Sequence, residues 1–287
     1  MLESSISSSS EVAIADEYLY PEHSLSGRYA KAFQWTPDTI NSLLDAGCAW
    51  GYGTRFFCQK SKRVCGLDPD AKYIEIARSR YADIEFVTAT LETVPFPSEA
   101  FETIVACDTL EHVDDEIQCL TEIFRLLKKD GILIVSVPHK GTFEFMDPEN
   151  AIPYIEYFLK RYLSGLFQLA YWLRKRQWPE RDKMVWEKPN RDRLHRHYTK
   201  AELLALLDRS AAKGNYKLID TFRSGLFLEV FVHNLEFYTA LFFRGKAIEK
   251  ILNIFLLKPL NKLAKIDYWI PYNVFAYNIA LKIVKTS

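Results

Sequence analysis

A glycine-rich turn between two short apolar runs constrains the fold of this chain more than any other feature. The first apolar run ends at Asp45 and is followed by Gly47, Gly51 and Gly53, and a second apolar run ends at Asp68. This order predicts a strand, a tight turn, the start of a helix, a second strand and then a carboxylate. Small residues let the backbone approach a ligand, and a carboxylate after the second strand can hold two ribose hydroxyls. The sequence therefore predicts a nucleotide-type site within an α/β fold.

The spacing of the glycines distinguishes the two common ligands of such a site, a dinucleotide and S-adenosylmethionine (SAM). The dinucleotide fingerprint is Gly-x-Gly-x-x-Gly, and neither Gly47 nor Gly51 starts a segment that fits it. The observed pattern, Asp45-x-Gly47-x-Ala49-x-Gly51, resembles the acidic-x-Gly-x-Gly-x-Gly signature of class I SAM-dependent methyltransferases. Asp68 lies 21 positions after Gly47, close to the spacing expected of a ribose carboxylate.

Later segments extend the resemblance in the expected order. Strands are predicted at 86–90, 100–107 and 132–137, and the last is almost wholly apolar, as strands buried on both faces of a parallel sheet are. Pro-Phe-Pro, Leu-Glu-His and Leu-Lys-x-x-Gly landmarks stand at 95–97, 110–112 and 127–131. From about residue 18 to residue 137 the series resembles the type 11 group of small-molecule methyltransferases, which includes enzymes of quinone biosynthesis.

The resemblance implies a Rossmann-like α/β fold with a seven-stranded sheet, parallel except for an antiparallel strand 7, and helical insertions that form a cap. Strand 6 is expected at 216–222 and strand 7 at 275–284. The helix before strand 5 is predicted to end at Gly131, with that glycine as a left-handed cap. Thr199 and Glu202 have the spacing of a capping box at the start of the helix after strand 5.

Two insertions are predicted to interrupt the core. The segments are a disordered, serine-rich tail at 1–14, a SAM-binding core at 15–139, a helical cap insertion at 140–194, more of the core with a helix and strand 6 at 195–223, a second helical insertion at 224–272, and strand 7 at 273–287. Both insertions leave the sheet after the carboxyl end of a strand, the edge where ligands bind in open α/β sheets. We therefore expect them to cover the acceptor pocket.

The resemblance also implies which residues hold the cofactor. In the family, the turn after strand 1 wraps the methionine portion of SAM, and the carboxylate at Asp68 takes the ribose. Thr90 stands where many relatives carry an acid for the adenine amino group, the amide of Leu91 serves an adenine nitrogen, and Asp108 lines the methionine end. The candidate cofactor-binding residues are Asp45, Gly47, Cys48, Ala49, Gly51, Asp68, Pro69, Thr90, Leu91, Cys107 and Asp108.

Methyl transfer from SAM is an in-line displacement, so the protein mainly aligns the acceptor and in some cases removes a proton. His112, after strand 4, and His139, directly after strand 5, are the candidate bases. No metal is expected, because the sequence holds no cluster with ligand spacing. The five cysteines include no Cys-x-x-Cys pair and are interpreted as free thiols in a reducing cytosol.

Charge is distributed unevenly along the chain. Residues 1–157 hold 13 basic and 26 acidic residues, whereas residues 158–287 hold 24 and 11. Apolar stripes with aromatic and basic neighbours at 155–178 and 248–262 are interpreted either as helices packed on the core or as peripheral contacts with an anionic bilayer. Charges and prolines interrupt both stripes well short of a membrane span. Nucleic acid is not expected as a partner, since no recognised binding motif is present. The expected location is cytoplasmic, at the membrane surface in the second interpretation.

Three hypotheses about function stay open at this point. The first is methylation of an oxygen or carbon on an amphiphilic, lipid-linked or carrier-linked acceptor. The second is methylation of a soluble metabolite or nucleotide-sugar. The third is a methyltransferase-like module that binds partners and no longer catalyses, and only Ala49 and Thr90 support it.

Overall fold

The computed structural model divides the chain into two compact units. It describes residues 25, 27–141, 148–175, 178–180, 184, 196–225, 228, 231–232, 235, 239, 247–267, 269–272 and 275–287. The first unit holds the described residues up to Ser136, together with 204–221 and 280–287, and the second holds those of 137–203 and 222–279. The tail predicted at 1–14 lies outside the described residues, and the predicted domain boundaries stay a prediction.

Seven strands form one sheet, as the sequence predicts. They are β1 (Ile40–Ala46), β2 (Ser61–Asp68), β3 (Glu85–Thr88), β4 (Phe101–Cys107), β5 (Leu127–Pro138), β6 (Tyr216–Ser224) and β7 (Asn278–Lys285). Their order across the sheet is β3-β2-β1-β4-β5-β7-β6. The pairs β1–β2, β1–β4, β2–β3 and β4–β5 are parallel, and β7 is antiparallel. The Rossmann-like fold class is therefore confirmed.

Helices connect the strands and make up most of the described residues of the second unit. They are α1 (Gly27–Trp35), α2 (Thr54–Phe57), α3 (Ala71–Arg80), α4 (Glu116–Leu126), α5 (Pro148–Tyr162), α6 (Ser164–Lys175), α7 (Lys200–Arg209), α8 (Ala247–Leu252) and α9 (Lys258–Asp267). A π-helical turn, Asn253–Leu257, joins α8 to α9. The central strands β1 and β4 supply fully buried side chains to the core, among them Leu43, Leu44, Ile104 and Val105.

Local side-chain chemistry sets where several helices begin. The carboxylate of Asp70 accepts the N–H of Lys72 at the start of α3, and Asp115 caps α4 in the same way. The predicted capping box of α7 is confirmed. The N–H of Glu202 donates to Thr199 Oγ1 at 3.2 Å, and the Thr199 N–H donates to the Glu202 carboxylate at 2.7 Å.

The junction between α4 and β5 differs from the sequence prediction. β5 starts at Leu127, immediately after α4. Phe101 of β4 pairs with Leu127, and Thr103 pairs with Ile132, so residues 128–131 bulge out of the pairing between the two strands. The left-handed residue is Asp130, with φ of +61°, so the prediction that Gly131 takes this conformation was wrong. A Cβ on Gly131 would lie 2.7 Å from the Lys128 carbonyl oxygen, and glycine is needed there for close backbone approach.

The apolar stripes of the second unit are helical, and much of their apolar surface faces solvent. The first stripe forms α5 and α6, which are separated by Leu163, and the second forms α8, the π-turn and α9. Exposed large apolar residues in these two segments are Ile155, Phe158, Tyr162, Leu163, Leu166, Leu169, Ile248, Ile251, Ile254, Phe255, Leu256, Leu263 and Ile266. Among the described residues, no helix combines the length and apolarity required to cross a bilayer.

Candidate functional site

Three residues with left-handed backbones shape the turn between β1 and α2. The angle φ is +82° at Gly47, +44° at Ala49 and +79° at Gly51. The N–H groups of Gly47 and Cys48 both donate to the carbonyl of Leu67, at 2.7 and 3.0 Å, which fixes the turn against β2. Glycine adopts this region without strain, whereas alanine there costs about 1 kcal/mol. Ala49 therefore keeps the shape of the turn at a cost in stability.

Asp68, at the end of β2, is bonded to the turn. One carboxylate oxygen accepts the N–H of Ala49 and the other accepts the N–H of Asp70, both at 2.9 Å. Burial raises the pKa of Asp68, and the two amide hydrogen bonds act in the opposite direction. Each carboxylate oxygen has a second lone pair, so Asp68 can accept two further hydroxyl groups without releasing the turn. This arrangement fits the predicted ribose-binding role.

Asp45, at the end of β1, is fully buried beneath the turn. Its carboxyl accepts the hydroxyl of Thr54 at 2.6 Å and the hydroxyl of Tyr29 at 3.2 and 3.3 Å. Burial raises its pKa to about 7, and the two hydroxyl donors oppose that shift only in part. Asp45 thus connects β1 with α1 and with the start of α2, and it supports the turn from below.

The sequence did not predict three residues that contact the carboxylates of the site. Tyr29 and Thr54 bind Asp45, and Arg28 of α1 forms an ion pair with Asp108, which follows β4. The only sequence signal for the Tyr29 contact is Gly53, because a Cβ at that position would overlap the Tyr29 ring. No pattern near the glycine turn indicates Arg28, since α1 precedes the motif.

Thr109 closes the site between β1 and β4. Its buried hydroxyl donates to the carbonyl of Ala46 at 2.8 Å and lies 3.2 Å from the carbonyl of Cys107. A Cβ on Gly47 would overlap the Thr109 hydroxyl, so this glycine serves close packing as well as its left-handed conformation. The first position of the glycine turn and the loop after β4 are therefore matched in shape.

The predicted cofactor residues gather at one edge of the sheet, where the carboxyl ends of the parallel strands meet. Pro69 and Thr90 are exposed there, while Leu91 is buried. Cys48 and Cys107 are buried thiols whose pKa burial raises far above its ordinary value, so they stay protonated. Within the described ranges, no group of three or more His, Cys, Asp and Glu side chains is arranged to hold a metal ion.

The two candidate bases lie in different units. His112 is exposed in the turn after β4, in the first unit. His139 is buried in the second unit, where its Nδ1 lies 3.0 Å from the Ala276 carbonyl oxygen. Burial lowers the pKa of His139, and the nearby charges of Arg223 and His197 act in the same direction. His139 is therefore held as a neutral imidazole.

Residues 44–135 match a family model described as a methyltransferase domain. A protein of Mycolicibacterium smegmatis named "Probable S-adenosylmethionine-dependent methyltransferase" is 34% identical over 101 residues, 35% of this chain and 39% of that protein. A malonyl-[acyl-carrier protein] O-methyltransferase of Serratia marcescens is 29% identical over 36% of this chain and 40% of its own. A ubiquinone biosynthesis O-methyltransferase of Pelagibacter ubique is 30% identical over 41% and 49%. The chain thus spans two fifths to half the length of these relatives.

A TehB-like SAM-dependent methyltransferase from Corynebacterium glutamicum shares the fold. The TM-score is 0.52 at 14% sequence identity, over 96% of this chain and 97% of that one. A sequence identity this low supports a shared architecture and nothing more. The family match covers residues from β1 to β5 and includes the glycine turn described above. Residues 44–135 therefore form a domain of the type 11 family of class I SAM-dependent methyltransferases.

Proposed function

We propose that this protein transfers a methyl group from SAM to an oxygen or carbon of a small amphiphilic, lipid-linked or carrier-linked acceptor. The observation that carries the cofactor assignment is Asp68, a carboxylate fixed by two backbone amides that keeps one lone pair on each oxygen. The Mycolicibacterium smegmatis relative is named as SAM-dependent, which agrees with the cofactor expected from the sequence.

The site residues fit SAM in charge as well as in shape. When bound, SAM supplies an electrophilic methyl group on a sulfonium. Gly47, at the start of the left-handed turn, is partly exposed next to the expected methionine portion, whereas Gly51 is buried against the Phe86 ring. Asp108, partly exposed and ion-paired with Arg28, adds a carboxylate where the cofactor carries its amino group. Under this proposal Asp68 holds the ribose, and Asp45 keeps the turn in shape from below.

His139 and His112 are the proposed proton acceptors. A histidine whose Nδ1 faces a backbone carbonyl carries its proton on that nitrogen and presents Nε2 as an acceptor. His139 has this arrangement with Ala276, at 3.0 Å, and its lowered pKa keeps it neutral. His112 is exposed in the turn after β4. We therefore place His139 first for a reaction that requires a base.

The surface of the second unit supports an amphiphilic acceptor. Phe255 is 77% exposed, and it lies among the exposed lysines Lys250, Lys258 and Lys262. A helix with exposed apolar and basic residues suits the interface of an anionic bilayer. The segments 155–178 and 248–262 are the proposed contacts. One relative acts by name on an acyl carrier and another in ubiquinone biosynthesis, and both fit an acceptor of this type.

Calorimetric titration with S-adenosylhomocysteine, the expected product, tests the cofactor site. Wild type should bind at micromolar concentrations, and Asp68→Asn should lose most of this affinity because one oxygen no longer accepts a hydroxyl. Glu75→Gln, which removes an exposed carboxylate from α3, is the matched control and should bind as wild type does. Failure of wild type to bind would overturn the proposal and favour the non-catalytic module.

Co-sedimentation with vesicles tests the acceptor class. Wild type should pellet with vesicles containing anionic phosphatidylglycerol and be released by high salt, since screening weakens the electrostatic part of binding. A Phe255→Ser, Ile251→Ser variant should remain in the supernatant, whereas Ile219→Ser, at an exposed apolar residue of β6, should pellet. If wild type also stays in the supernatant, an acceptor that is a free metabolite or nucleotide-sugar is favoured instead.

A further inference from the structure

Asp45 is a buried carboxyl whose hydrogen-bond donors are both neutral. Its side chain is 0% exposed, and it accepts hydrogen bonds from the hydroxyls of Thr54 and Tyr29. Within the described part of the chain, no Lys, Arg or His side chain forms an ion pair with it. A carboxylate buried without a counter-ion is costly, because two hydroxyls replace only part of its hydration. Asp45 therefore has a strong tendency to hold a proton in the ligand-free protein.

The titratable groups that face Asp45 do not supply a positive charge. They come from α1, the glycine turn, β2 and β4, and they are Tyr29, Cys48, Cys65, Asp68 and Cys107. Burial raises the pKa of the tyrosine and of the three thiols, so these four groups stay neutral. Asp68 adds a negative charge, and Arg28 of α1 forms an ion pair with Asp108. The described surroundings thus leave an ionised Asp45 unbalanced.

The turn that Asp45 supports is the place expected to hold the methionine portion of SAM. Asp45 lies two residues before Gly47, and its partner Thr54 begins α2 directly after the turn. SAM and its product differ in charge at this portion, since SAM carries a sulfonium and S-adenosylhomocysteine a neutral thioether. Where water is excluded, a nearby positive charge strongly favours the ionised form of a carboxyl. Bound SAM should therefore lower the pKa of Asp45, whereas bound S-adenosylhomocysteine should not.

We propose that Asp45 makes the site prefer SAM to S-adenosylhomocysteine, by releasing a proton to solvent when the sulfonium is bound. The inference rests on the proposed function and deepens it, because it assigns the discrimination between substrate and product to the first carboxylate of the glycine motif. The charges balance, since the sulfonium replaces the proton as the positive charge that faces the carboxylate.

The direction of the pH dependence follows from this exchange. Burial raises the pKa of Asp45 to about 7 in the ligand-free protein. Below this value SAM binds only if the carboxyl gives up its proton or forgoes the attraction, whereas above it the carboxylate is already formed. The preference for SAM over its product should therefore increase as the pH rises through the pKa of Asp45.

Calorimetric titrations with SAM and with S-adenosylhomocysteine, from about pH 5.5 to about pH 8, test the inference. The ratio of the two affinities for wild type should rise about five- to tenfold over this range, as a fall of about one pKa unit on binding SAM requires. Titration with SAM at about pH 6.5, in buffers of different ionisation enthalpy, should show the release of about half a proton more than in Asp45→Asn. A wild-type ratio that does not change with pH would overturn the inference.

Asp45→Asn removes the titrating group and should lose most of the rise. The α-amino groups of the two ligands also exchange protons, but they do so in wild type and variant alike, so the difference between the two proteins belongs to Asp45. Glu75→Gln, which removes an exposed carboxylate from α3, is the matched control and should follow wild type. An equal pH dependence in wild type and Asp45→Asn would refute the role of Asp45.

Thr54→Val is a second variant that keeps the ionisable group, and it serves if the amide at position 45 impairs folding. It removes one of the donors that stabilise the carboxylate, so the midpoint of the rise should move to higher pH than in wild type. An unmoved midpoint would show that another group titrates. If neither SAM nor S-adenosylhomocysteine binds wild type, the proposed function and the inference fall together. Binding of both at a ratio independent of pH overturns the inference and leaves the proposed function intact.

Discussion

The hydroxyl of Thr54 donates a 2.6 Å hydrogen bond to the carboxyl of Asp45, in a place that solvent does not reach. Tyr29 binds the same carboxyl from α1. A buried carboxyl with two hydroxyl donors holds the turn in one geometry before any ligand arrives. Substitutions in this network should therefore change the stability of the turn as well as its affinity for a cofactor.

Asp45→Asn should remove a pH dependence of stability. Burial raises the pKa of Asp45 from 3.8 to about 7 in the folded state. Between these values the unfolded chain binds fewer protons than the folded one, so the free energy of unfolding falls as the pH rises. One pKa unit corresponds to about 1.4 kcal/mol, which limits the fall to ~4 kcal/mol. Urea unfolding of both proteins from pH 4 to pH 8 measures it, and equal slopes would contradict the prediction.

Gly53→Ala should destabilise the fold by about 1–3 kcal/mol, because the added methyl group overlaps the Tyr29 ring and forces α1 or the turn to shift. Thermal unfolding measures the loss. Gly165→Ala in α6 is the control, since a Cβ there meets nothing within 4 Å, and it should be neutral or stabilising by up to ~1 kcal/mol. In a Tyr29→Ala background the cost of Gly53→Ala should largely disappear, and an undiminished cost would contradict the assigned contact.

Ala49→Gly should be neutral or stabilising by up to ~1 kcal/mol. Glycine adopts the left-handed conformation of residue 49, at φ of +44°, without strain. This gain offsets the greater conformational freedom of glycine in the unfolded chain. Ala205→Gly, at an exposed position within α7, is the control. It should lower the free energy of unfolding by about 1 kcal/mol, because glycine is a poor helix former. Chemical denaturation of the two variants checks the contrast. Equal losses in both would mean that residue 49 carries no strain.

Thr109→Val should cost about 1–2 kcal/mol, because the shape is kept while the hydrogen bond from Oγ1 to the Ala46 carbonyl is lost. Thr109→Ser restores the hydroxyl and should recover most of the stability. We expect S-adenosylhomocysteine to bind Thr109→Val more weakly than wild type, since the carbonyl of Ala46 immediately precedes the Gly47 turn. Denaturation and calorimetry on the three proteins check both effects, and a Val variant as stable as wild type would refute the assigned bond.

The strand–turn–strand unit from β1 to Asp68 could be predicted because its signals are local. Apolar runs, glycine spacing and a terminal carboxylate lie within about thirty residues, and each constrains the backbone directly. The Tyr29–Asp45 hydrogen bond and the Arg28–Asp108 ion pair could not be predicted. They join residues 16 and 80 positions apart, respectively, and no shared periodicity relates the two segments in either contact. Such contacts depend on how α1 packs, which a single sequence does not encode in any short pattern.

The error at Gly131 has a similar cause. A glycine after an apolar helix favours a left-handed cap, but the register of β5 against β4 shifts between Phe101 and Thr103 and makes Asp130 the left-handed residue. Tertiary pairing decided which of two adjacent residues takes the unusual conformation. Gly131 was still a meaningful signal, since its missing side chain lets the Lys128 carbonyl approach.

The sheet order has a consequence for biosynthesis. β7 lies between β5 and β6, although it is the last of the seven strands along the chain. During translation β6 therefore emerges before its neighbour in the sheet exists, and it cannot join the sheet until Asn278–Lys285 has been made. The strands from β1 to β5 can pair before that time. A nascent chain stalled ahead of β7 should thus hold the glycine turn in a formed sheet while β6 still has no neighbouring strand to pair with.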